Sequence, residues 1–229
     1  MTPSVSLNIE DNVATLTLNN GKVNAISHQV IDELNQALNS AEQQHCVVVI
    51  TGQPGMLSAG YDLTVMRESM SAAMQLVEKG STLARRMLAF PYPIVVACSG
   101  HAVAKGAFLL LAADYRIGVE GPFKIGLNEV AIGMTMHHAG VELARARLAP
   151  TFFNRAVNLA EMMSPDEALD AGFLDKVVSQ HDFIASTATI AQALSKLNMQ
   201  AHHQTKLKAR ADLLKVLDEA ILKDRNSTL

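Results

Sequence analysis

Short apolar runs alternate with stretches of helical periodicity along most of the chain. Continuous apolar runs without polar alternation predict strands that are buried on both faces. Strands that alternate with helices predict an α/β fold, in which helices pack on a mostly parallel sheet. The predicted strands are residues 4–10, 13–18, 46–50, 94–98 and 176–178, with a further strand beginning near Tyr115. The predicted helices begin at Ser27, after residue 63, at residue 107, near His138 and at Ser164.

The last quarter of the chain is helical by the same criterion. Residues 182–223 predict two helices, and the second carries an apolar face. A stripe of this kind usually packs against another helix, so this region is either a cap on the core or an oligomer contact. The stripe is made by Leu207, Leu213, Leu214, Leu217 and Ile221. We therefore divide the chain into a core of residues 1–180 and a helical region of residues 181–229.

Two loops of small residues each follow a buried strand, at residues 58–61 and 103–106. If the two strands are parallel neighbours, the loops lie side by side and aim two backbone N–H groups into one crevice. Such a pair of donors is an oxyanion hole, which stabilises an enolate or a tetrahedral intermediate. The alternative is a pair of ordinary turns, whose small residues only let a helix pack closely on a strand.

Composition excludes several classes of function. The 229 residues are 49% hydrophobic, which is enough for a sizeable core. The net charge of −3 contains no long run of one sign, so we expect no nucleic-acid or membrane partner. The two cysteines lie in apolar runs, and neither a signal peptide nor an apolar stretch of about 20 residues is visible. We expect a cytoplasmic protein that carries no metal.

Four segments then narrow the prediction. In order along the chain they are SAGYDL, SGHAVAKGAFLLLAADYRIG, IGLNEVAIG and SPDEALDAGFLDKVV. Together they resemble the signature segments of the crotonase superfamily, the enoyl-CoA hydratase/isomerase family, over about residues 13–178. The resemblance implies a ββα spiral core, a C-terminal helical region used in trimerisation, and a homotrimer or a dimer of trimers. It also implies an acyl-CoA substrate, with coenzyme A as part of that substrate and no other cofactor.

The resemblance implies roles for individual residues of the two loops. The oxyanion donors would be the N–H groups of Tyr61 and Lys105. A lysine replaces the middle glycine of the family's usual triplet, but a backbone donor survives a change of side chain. The nucleotide part of coenzyme A would lie against residues 22–26 and 59–63. The contacts expected there are Lys22, Ala25, Ala59, Asp62 and Leu63, although Lys22 is equally well explained as a solvated turn lysine.

One of the family's two catalytic glutamates is missing. Hydratases of the family carry one glutamate after the glycine loop, where this chain has Phe108, and a second at the position of Glu129. The resemblance to the family's isomerases implies that a single carboxylate can move a proton from C2 to C4 of the acyl chain. We therefore favour an enoyl-CoA isomerase over a hydratase (a lyase), another crotonase reaction, or a silent acyl-CoA-binding protein.

Two observations leave that assignment open at the level of single residues. Taken alone, Glu129 is better explained as an exposed loop acid. His137 stands where some relatives place a catalytic aspartate, and it either shares the proton transfer or only begins a helix. The resemblance also implies that a chain ending near residue 229 lacks a last helix that covers the acyl site in many relatives.

Overall fold

The computed structural model describes residues 3–226, which contain nine strands and ten helices. The strands are β1 (Val5–Glu10), β2 (Val13–Leu18), β3 (Val47–Thr51), β4 (Gly55–Ser58), β5 (Ile94–Cys98), β6 (Gly100–Val103), β7 (Tyr115–Val119), β8 (Ile125–Gly126) and β9 (Lys176–Val178). The helices are α1 (His28–Gln43), α2 (Leu63–Glu68), α3 (Met70–Ala89), α4 (Lys105–Leu111), α5 (His138–Arg147), α6 (Pro150–Val157), α7 (Pro165–Ala171), α8 (Phe183–Leu194), α9 (Met199–Ala209) and α10 (Ala211–Arg225).

The main sheet has six strands in the order β1-β2-β3-β5-β7-β9. Only β1 and β2 pair in antiparallel fashion, and every later pair is parallel. The α/β prediction is therefore confirmed. Both faces of the central strands are covered: Val48 and Val96 belong to the main core, and Val49 and Val95 pack in a second cluster that includes Ala191 of α8. Burial on both faces is the reason that these strands are continuously apolar.

A second sheet of three parallel strands, in the order β4-β6-β8, lies beside the first. The apolar pattern predicted neither β4 nor β6, and their last residues, Ser58 and Val103, are the first residues of the two small-residue loops. The backbones approach too closely for side chains here: a Cβ atom on Gly100 would lie 1.9 Å from the carbonyl carbon of Gly55. The sheet ends at the two small-residue loops, and it therefore fixes their relative position.

The helices differ from the predicted ones in three places. The long helix after residue 63 is interrupted at Ser69, whose hydroxyl caps α3 by accepting the Ala72 N–H. Helix α4 begins at Lys105, two residues earlier than predicted, and α6 was not predicted at all. The C-terminal region holds three helices instead of two, and Leu207 belongs to α9 while the rest of the predicted stripe belongs to α10.

The apolar stripe of α10 is buried inside the chain. Leu214, Leu217 and Ile221 are all at least nine-tenths buried, and α10 packs on α3 and α5. Of the two alternatives for this region, the packing of α10 on α3 and α5 therefore favours the cap on the core. The trimeric assembly remains a prediction, as does the division into two parts at residue 180. Within residues 3–226, no helix combines the length and the apolar character needed to cross a bilayer.

Candidate active site

The two small-residue loops touch each other at the ends of β4 and β6. Gly60 has a φ of +107°, and a Cβ atom on it would lie 2.9 Å from the Cβ of Ala104 and 3.5 Å from the nitrogen of Lys105. On the other side of the contact, a Cβ atom on Gly106 would lie 2.3 Å from the carbonyl oxygen of Ser58. Only glycine permits this approach, so the two glycines explain why the loops can meet.

The N–H of Tyr61 is free to point into the crevice. Ile26 donates to the carbonyl of Gly60 at 2.8 Å and accepts from the N–H of Asp62 at 3.0 Å. In this parallel pairing Ile26 bonds to the residues on either side of Tyr61, so the N–H of Tyr61 lies on the opposite side of the strand. Within residues 3–226 that N–H has no hydrogen-bond partner.

The second free donor is the N–H of Lys105, the first residue of α4. The first N–H groups of a helix have no intrahelical acceptor, and nothing in the described part of the chain accepts this one. The residue before it, Ala104, has a φ of 51° and a ψ of −119°. A residue with a Cβ atom rarely adopts this conformation, and such strain concentrates at functional sites. Ala104 is held there by a bond from its N–H to the carbonyl of Gly126, at 3.0 Å.

Glu129 lies close to this crevice and is not an exposed loop acid. It is 8% exposed and directly precedes a 3₁₀ turn at Val130–Ile132. Its Oε2 atom is buried and has no hydrogen-bond partner within the described residues. Burial raises the pKa of Glu129 to about 7. Burial, followed by the charges of Glu129 and Asp224, also raises the pKa of Tyr61 far above its usual value. Glu129 follows Gly126 by three residues, and the carbonyl of Gly126 accepts the N–H of Ala104 at 3.0 Å, so the loop that carries Glu129 begins at the crevice.

Phe108 and His137 pack against each other beside the side chain of Lys105. Phe108 is buried in α4, and its ring meets the ring of His137 edge-on, with 5.3 Å between the centroids. His137 is the N-cap residue of α5. Burial lowers the pKa of His137 to about 4, against the opposing effect of Asp224, so the imidazole is neutral at pH 7.

The side chain of Lys105 is buried, which the sequence did not predict. It is 1% exposed, and its Nζ donates to the carbonyl of Gly80 at 2.6 Å. Burial lowers the pKa of this amine to about 7. The only sign in the sequence is the position of the lysine, directly before the uninterrupted apolar run of α4.

Two further residues of the site were missed. Asn128, next to Glu129 in the chain, has a buried Oδ1 atom that finds no hydrogen-bond partner in the described part of the chain. Asp224 of α10 is buried and accepts the N–H groups of His138 and Ala139, at 2.7 and 2.9 Å. These bonds fasten α10 to the start of α5, and Leu217 of α10 lines a small cavity beside Phe108. The expectation about a last helix over the acyl site stays a prediction.

The two segments expected to hold coenzyme A run side by side. The N–H of Ala59 donates to the carbonyl of Val23 at 2.9 Å. The buried side chain of Asn24 reinforces this contact, since it donates to the carbonyls of Leu18, Met56 and Leu57. Asn24 was missed because its role is structural. Lys22, Ala59 and Leu63 are exposed, Ala25 is half-buried, and the carboxylate of Asp62 caps α2 by accepting the Thr64 N–H at 2.8 Å.

Comparisons with known proteins agree with this arrangement. The model of the family described as "Enoyl-CoA hydratase/isomerase" matches residues 8–227. The chain belongs to the enoyl-CoA hydratase/isomerase family. The crystal structure of a member of this family from Pseudomonas syringae is 62% identical and superposes with a TM-score of 0.98, covering 99% of this chain and 98% of that one.

Curated members of the family with different activities are similarly related to this chain. A "Probable enoyl-CoA hydratase" of Bacillus subtilis is 31% identical over 75% of this chain and 67% of its own length. The mitochondrial enoyl-CoA delta isomerase 1 of Mus musculus is 30% identical over 88% of this chain and 73% of its own length. Membership of the enoyl-CoA hydratase/isomerase family therefore leaves the choice between these two reactions to the residues of the site.

Proposed function

We propose that this protein is an enoyl-CoA isomerase that moves the double bond of a 3-enoyl-CoA thioester to the 2-position. The observation that carries the proposal is the buried carboxyl group of Glu129. Its Oε2 atom has no hydrogen-bond partner within residues 3–226, and its loop begins at Gly126, which holds Ala104 beside the free N–H of Lys105. The N–H groups of Tyr61 and Lys105 hold the thioester oxygen. The same two donors stabilise the negative charge that this oxygen gains when C2 loses a proton.

Glu129 takes the proton from C2 and returns it at C4. A pKa of about 7 means that a large part of the protein carries Glu129 as a base at neutral pH. The same pKa makes the protonated form acidic enough to give the proton back. Since one group performs both transfers, the reaction needs no second acid or base. The isomerase of Mus musculus is a relative whose printed name fits this reaction.

Hydration is the less favoured candidate. Adding water to a double bond requires a second group that positions the water and manages its proton. The position expected for that group is Phe108, and the adjacent His137 has a pKa of about 4. An imidazole of such low basicity is a poor partner for activating water near pH 7. The hydratase name of the relative from Bacillus subtilis is the reason to test this reaction directly.

The substrate and the assembly complete the proposal. Coenzyme A enters as part of the acyl-CoA substrate, and no other cofactor takes part. Exposed Lys22 lies in the turn before Val23, whose carbonyl accepts the Ala59 N–H, and this geometry supports a phosphate contact at that turn. We also propose that the working form is a homotrimer or a dimer of trimers, which light scattering would test by mass.

Spectroscopy distinguishes these reactions. With 3-hexenoyl-CoA, an isomerase produces the conjugated 2-enoyl thioester, and the absorbance of the conjugated system rises. With 2-hexenoyl-CoA, a hydratase removes the conjugation, and the absorbance falls. We expect the rise and no enzyme-dependent fall. A fall without a rise would establish the hydratase, and thermal shifts with both thioesters but no turnover would indicate a silent acyl-CoA-binding protein.

A further inference from the structure

The side chains of the two candidate oxyanion donors, Tyr61 and Lys105, reach the same turn of α3. Val77 and Gly80 are three residues apart in this helix, so they lie on one of its faces. The hydroxyl of Tyr61 donates a long hydrogen bond to the carbonyl of Val77, at 3.4 Å. The amine of Lys105 donates to the carbonyl of Gly80 at 2.6 Å. Two residues from separate loops are thus tied to one helical turn, residues 77–80.

Gly80 gives the ring of Tyr61 the space that it occupies. A Cβ atom on Gly80 would lie 2.1 Å from the hydroxyl oxygen of Tyr61 and 2.7 Å from its Cε1 atom. Glycine in the interior of a helix is less favourable than alanine, so helix propensity does not explain this residue. The contact does explain it, because any side chain at position 80 would push the ring away from α3.

The side chain of Lys105 makes a second tie to the same turn. It is 1% exposed, and within residues 3–226 the carbonyl of Gly80 is the one hydrogen-bond acceptor of its amine. The amine also lies 6.0 Å from the centroid of the Tyr61 ring. The resemblance to the family implies a glycine at position 105, and glycine has no side chain with which to reach α3. The lysine of this chain therefore adds a tie that the usual residue cannot make.

We propose that residues 77–80 of α3 are a common support for the oxyanion hole, and that Gly80 and the side chain of Lys105 are positioning residues. This inference rests on the proposed function, because it takes the N–H groups of Tyr61 and Lys105 as donors to the thioester oxygen. The contact between the two loops fixes the donors to each other, and α3 fixes both of them to the core. A misplacement of about 1 Å lowers a rate about 10²-fold, so the support acts on turnover through the donors.

The alternative is that these contacts only stabilise the fold. In that case their loss lowers the free energy of unfolding and leaves the folded enzyme with its normal kcat. Loss of positioning has a different kinetic signature. Oxyanion donors act most strongly where charge develops in the transition state, so misplaced donors lower kcat while KM changes little. The division of the effect between kcat and KM therefore distinguishes the two roles.

Steady-state kinetics with 3-hexenoyl-CoA test the tie made by Lys105. Lys105→Met keeps the backbone N–H and loses the amine, and we expect kcat to fall about 10-fold with less than about a threefold change in KM. The matched control is Lys79→Met, next to Gly80 in the chain. Lys79 ties α3 to α1, since its amine donates to Asp32 at 2.7 Å and to the carbonyl of His28 at 3.4 Å. We expect this control to keep the wild-type kcat. A wild-type kcat in Lys105→Met would overturn the role of the amine.

A double-mutant cycle tests the tie made by Tyr61. Gly80→Ala forces the ring to move, and we expect kcat to fall about 10²-fold. Tyr61→Ala removes the ring but keeps the N–H, and in that background Gly80→Ala should change kcat by less than about threefold, because the two residues are in contact. An equal effect of Gly80→Ala in both backgrounds would overturn the support. If Gly80→Ala alone fails to fold, the double variant and Tyr61→Ala still give the comparison, with circular dichroism as the check of folding.

The wild-type reaction separates this inference from the proposed function. Turnover of 3-hexenoyl-CoA with an unchanged kcat in both Lys105→Met and Gly80→Ala rejects only the support. Hydration of 2-hexenoyl-CoA in place of isomerisation rejects the proposed function. The thioester oxygen gains charge in that reaction too, so the kcat of the same variants for hydration then decides whether the support exists. No turnover of any thioester by the wild type rejects both.

Discussion

A Cβ atom on Gly60 would lie 2.9 Å from the Cβ of Ala104, so the two loops that carry the proposed oxyanion donors are in van der Waals contact. Contact at this distance makes the position of one donor depend on the other loop. Both residues also have positive φ angles, +107° for Gly60 and 51° for Ala104. The spacing between the N–H groups of Tyr61 and Lys105 is therefore set by two unusual backbone conformations that support each other.

Gly60→Ala should separate the loops and displace the N–H of Tyr61. Alanine at a φ of +107° is strained, and its methyl group would overlap the Cβ of Ala104, so we expect a loss of about 1–3 kcal/mol in the free energy of unfolding. A displacement of about 1 Å at the donor should reduce kcat about 10²-fold. The control is Gly55→Ala, where φ is also positive, at +83°, but the nearest atom lies at 3.9 Å. Equal loss of activity in both variants would contradict the contact.

Replacing Lys105 by proline should remove one oxyanion donor. Proline has no backbone N–H, and the loss of one such donor lowers kcat by about 10²–10³-fold. Lys105→Met is the matched variant, because it loses the amine but keeps the N–H. With 3-hexenoyl-CoA we expect the proline variant to be slower than the methionine variant by that factor, provided that circular dichroism shows both to be folded. If the methionine variant were equally slow, the amine and not the N–H would be the working group.

Introducing a carboxylate at Phe108 should add hydration. Phe108→Glu places an acid beside His137, at the position where the resemblance to the family's hydratases implies a glutamate. The phenyl ring is buried, so its loss should cost about 3–5 kcal/mol of stability. We expect a slow hydration of 2-hexenoyl-CoA by this variant. We expect none by Phe108→Gln, because glutamine has the shape of glutamate but no carboxylate. Hydration by both variants at the same rate would show that added space for water, and not the carboxylate, is what matters.

Much of the fold follows from the apolar pattern, because burial on both faces leaves continuous runs such as Ile94–Cys98. The second sheet does not, since its strands have two to four residues each and are rich in small residues that pattern analysis assigns to loops. The packing of the apolar stripe on α10 does not follow from the pattern either. Periodicity identified its apolar face, but could not show that α3 and α5 of the same chain already cover it.

The loops that carry the candidate backbone donors could be predicted from the sequence. The burial of charged side chains in the candidate site could not. The two loops follow from their small residues, and the assignment of Tyr61 and Lys105 as donors follows from the resemblance to the family. The burial of the Lys105 amine does not, because lysine in a sequence is read as exposed. The position of Asp224 in the sequence contains one sign that its carboxylate has a structural partner. It lies in the last turn of α10, where the helix dipole disfavours an acid, and an acid in that place implies a partner elsewhere, here the first N–H groups of α5.

Stability should depend on pH through Glu129. Its pKa is about 7 in the folded protein and near its ordinary value of 4.5 in the unfolded chain. Folding therefore favours the protonated carboxyl, and the free energy of unfolding decreases as the pH rises from 4.5 to about 7. Glu129→Gln has no such proton, so its stability relative to the wild type should increase across this window by on the order of 3 kcal/mol. Urea unfolding at pH 5 and pH 8 measures this, and an equal difference at both values would contradict a raised pKa.

Turnover should require the ionised form of the same group. Because Glu129 must take a proton from C2, kcat/KM for 3-hexenoyl-CoA should rise with pH through about 7 and become constant above it. Glu129→Gln should lower kcat by about 10²–10⁴-fold and leave the binding of acyl-CoA in place, as calorimetry would show. Lys105 has a pKa of about 7 as well, so the pH profile of Lys105→Met is the necessary control. If that variant kept the inflection and Glu129→Gln lost it, the carboxyl would be the base. Turnover by Glu129→Gln at the wild-type rate would remove Glu129 from the mechanism and make His137 the next candidate.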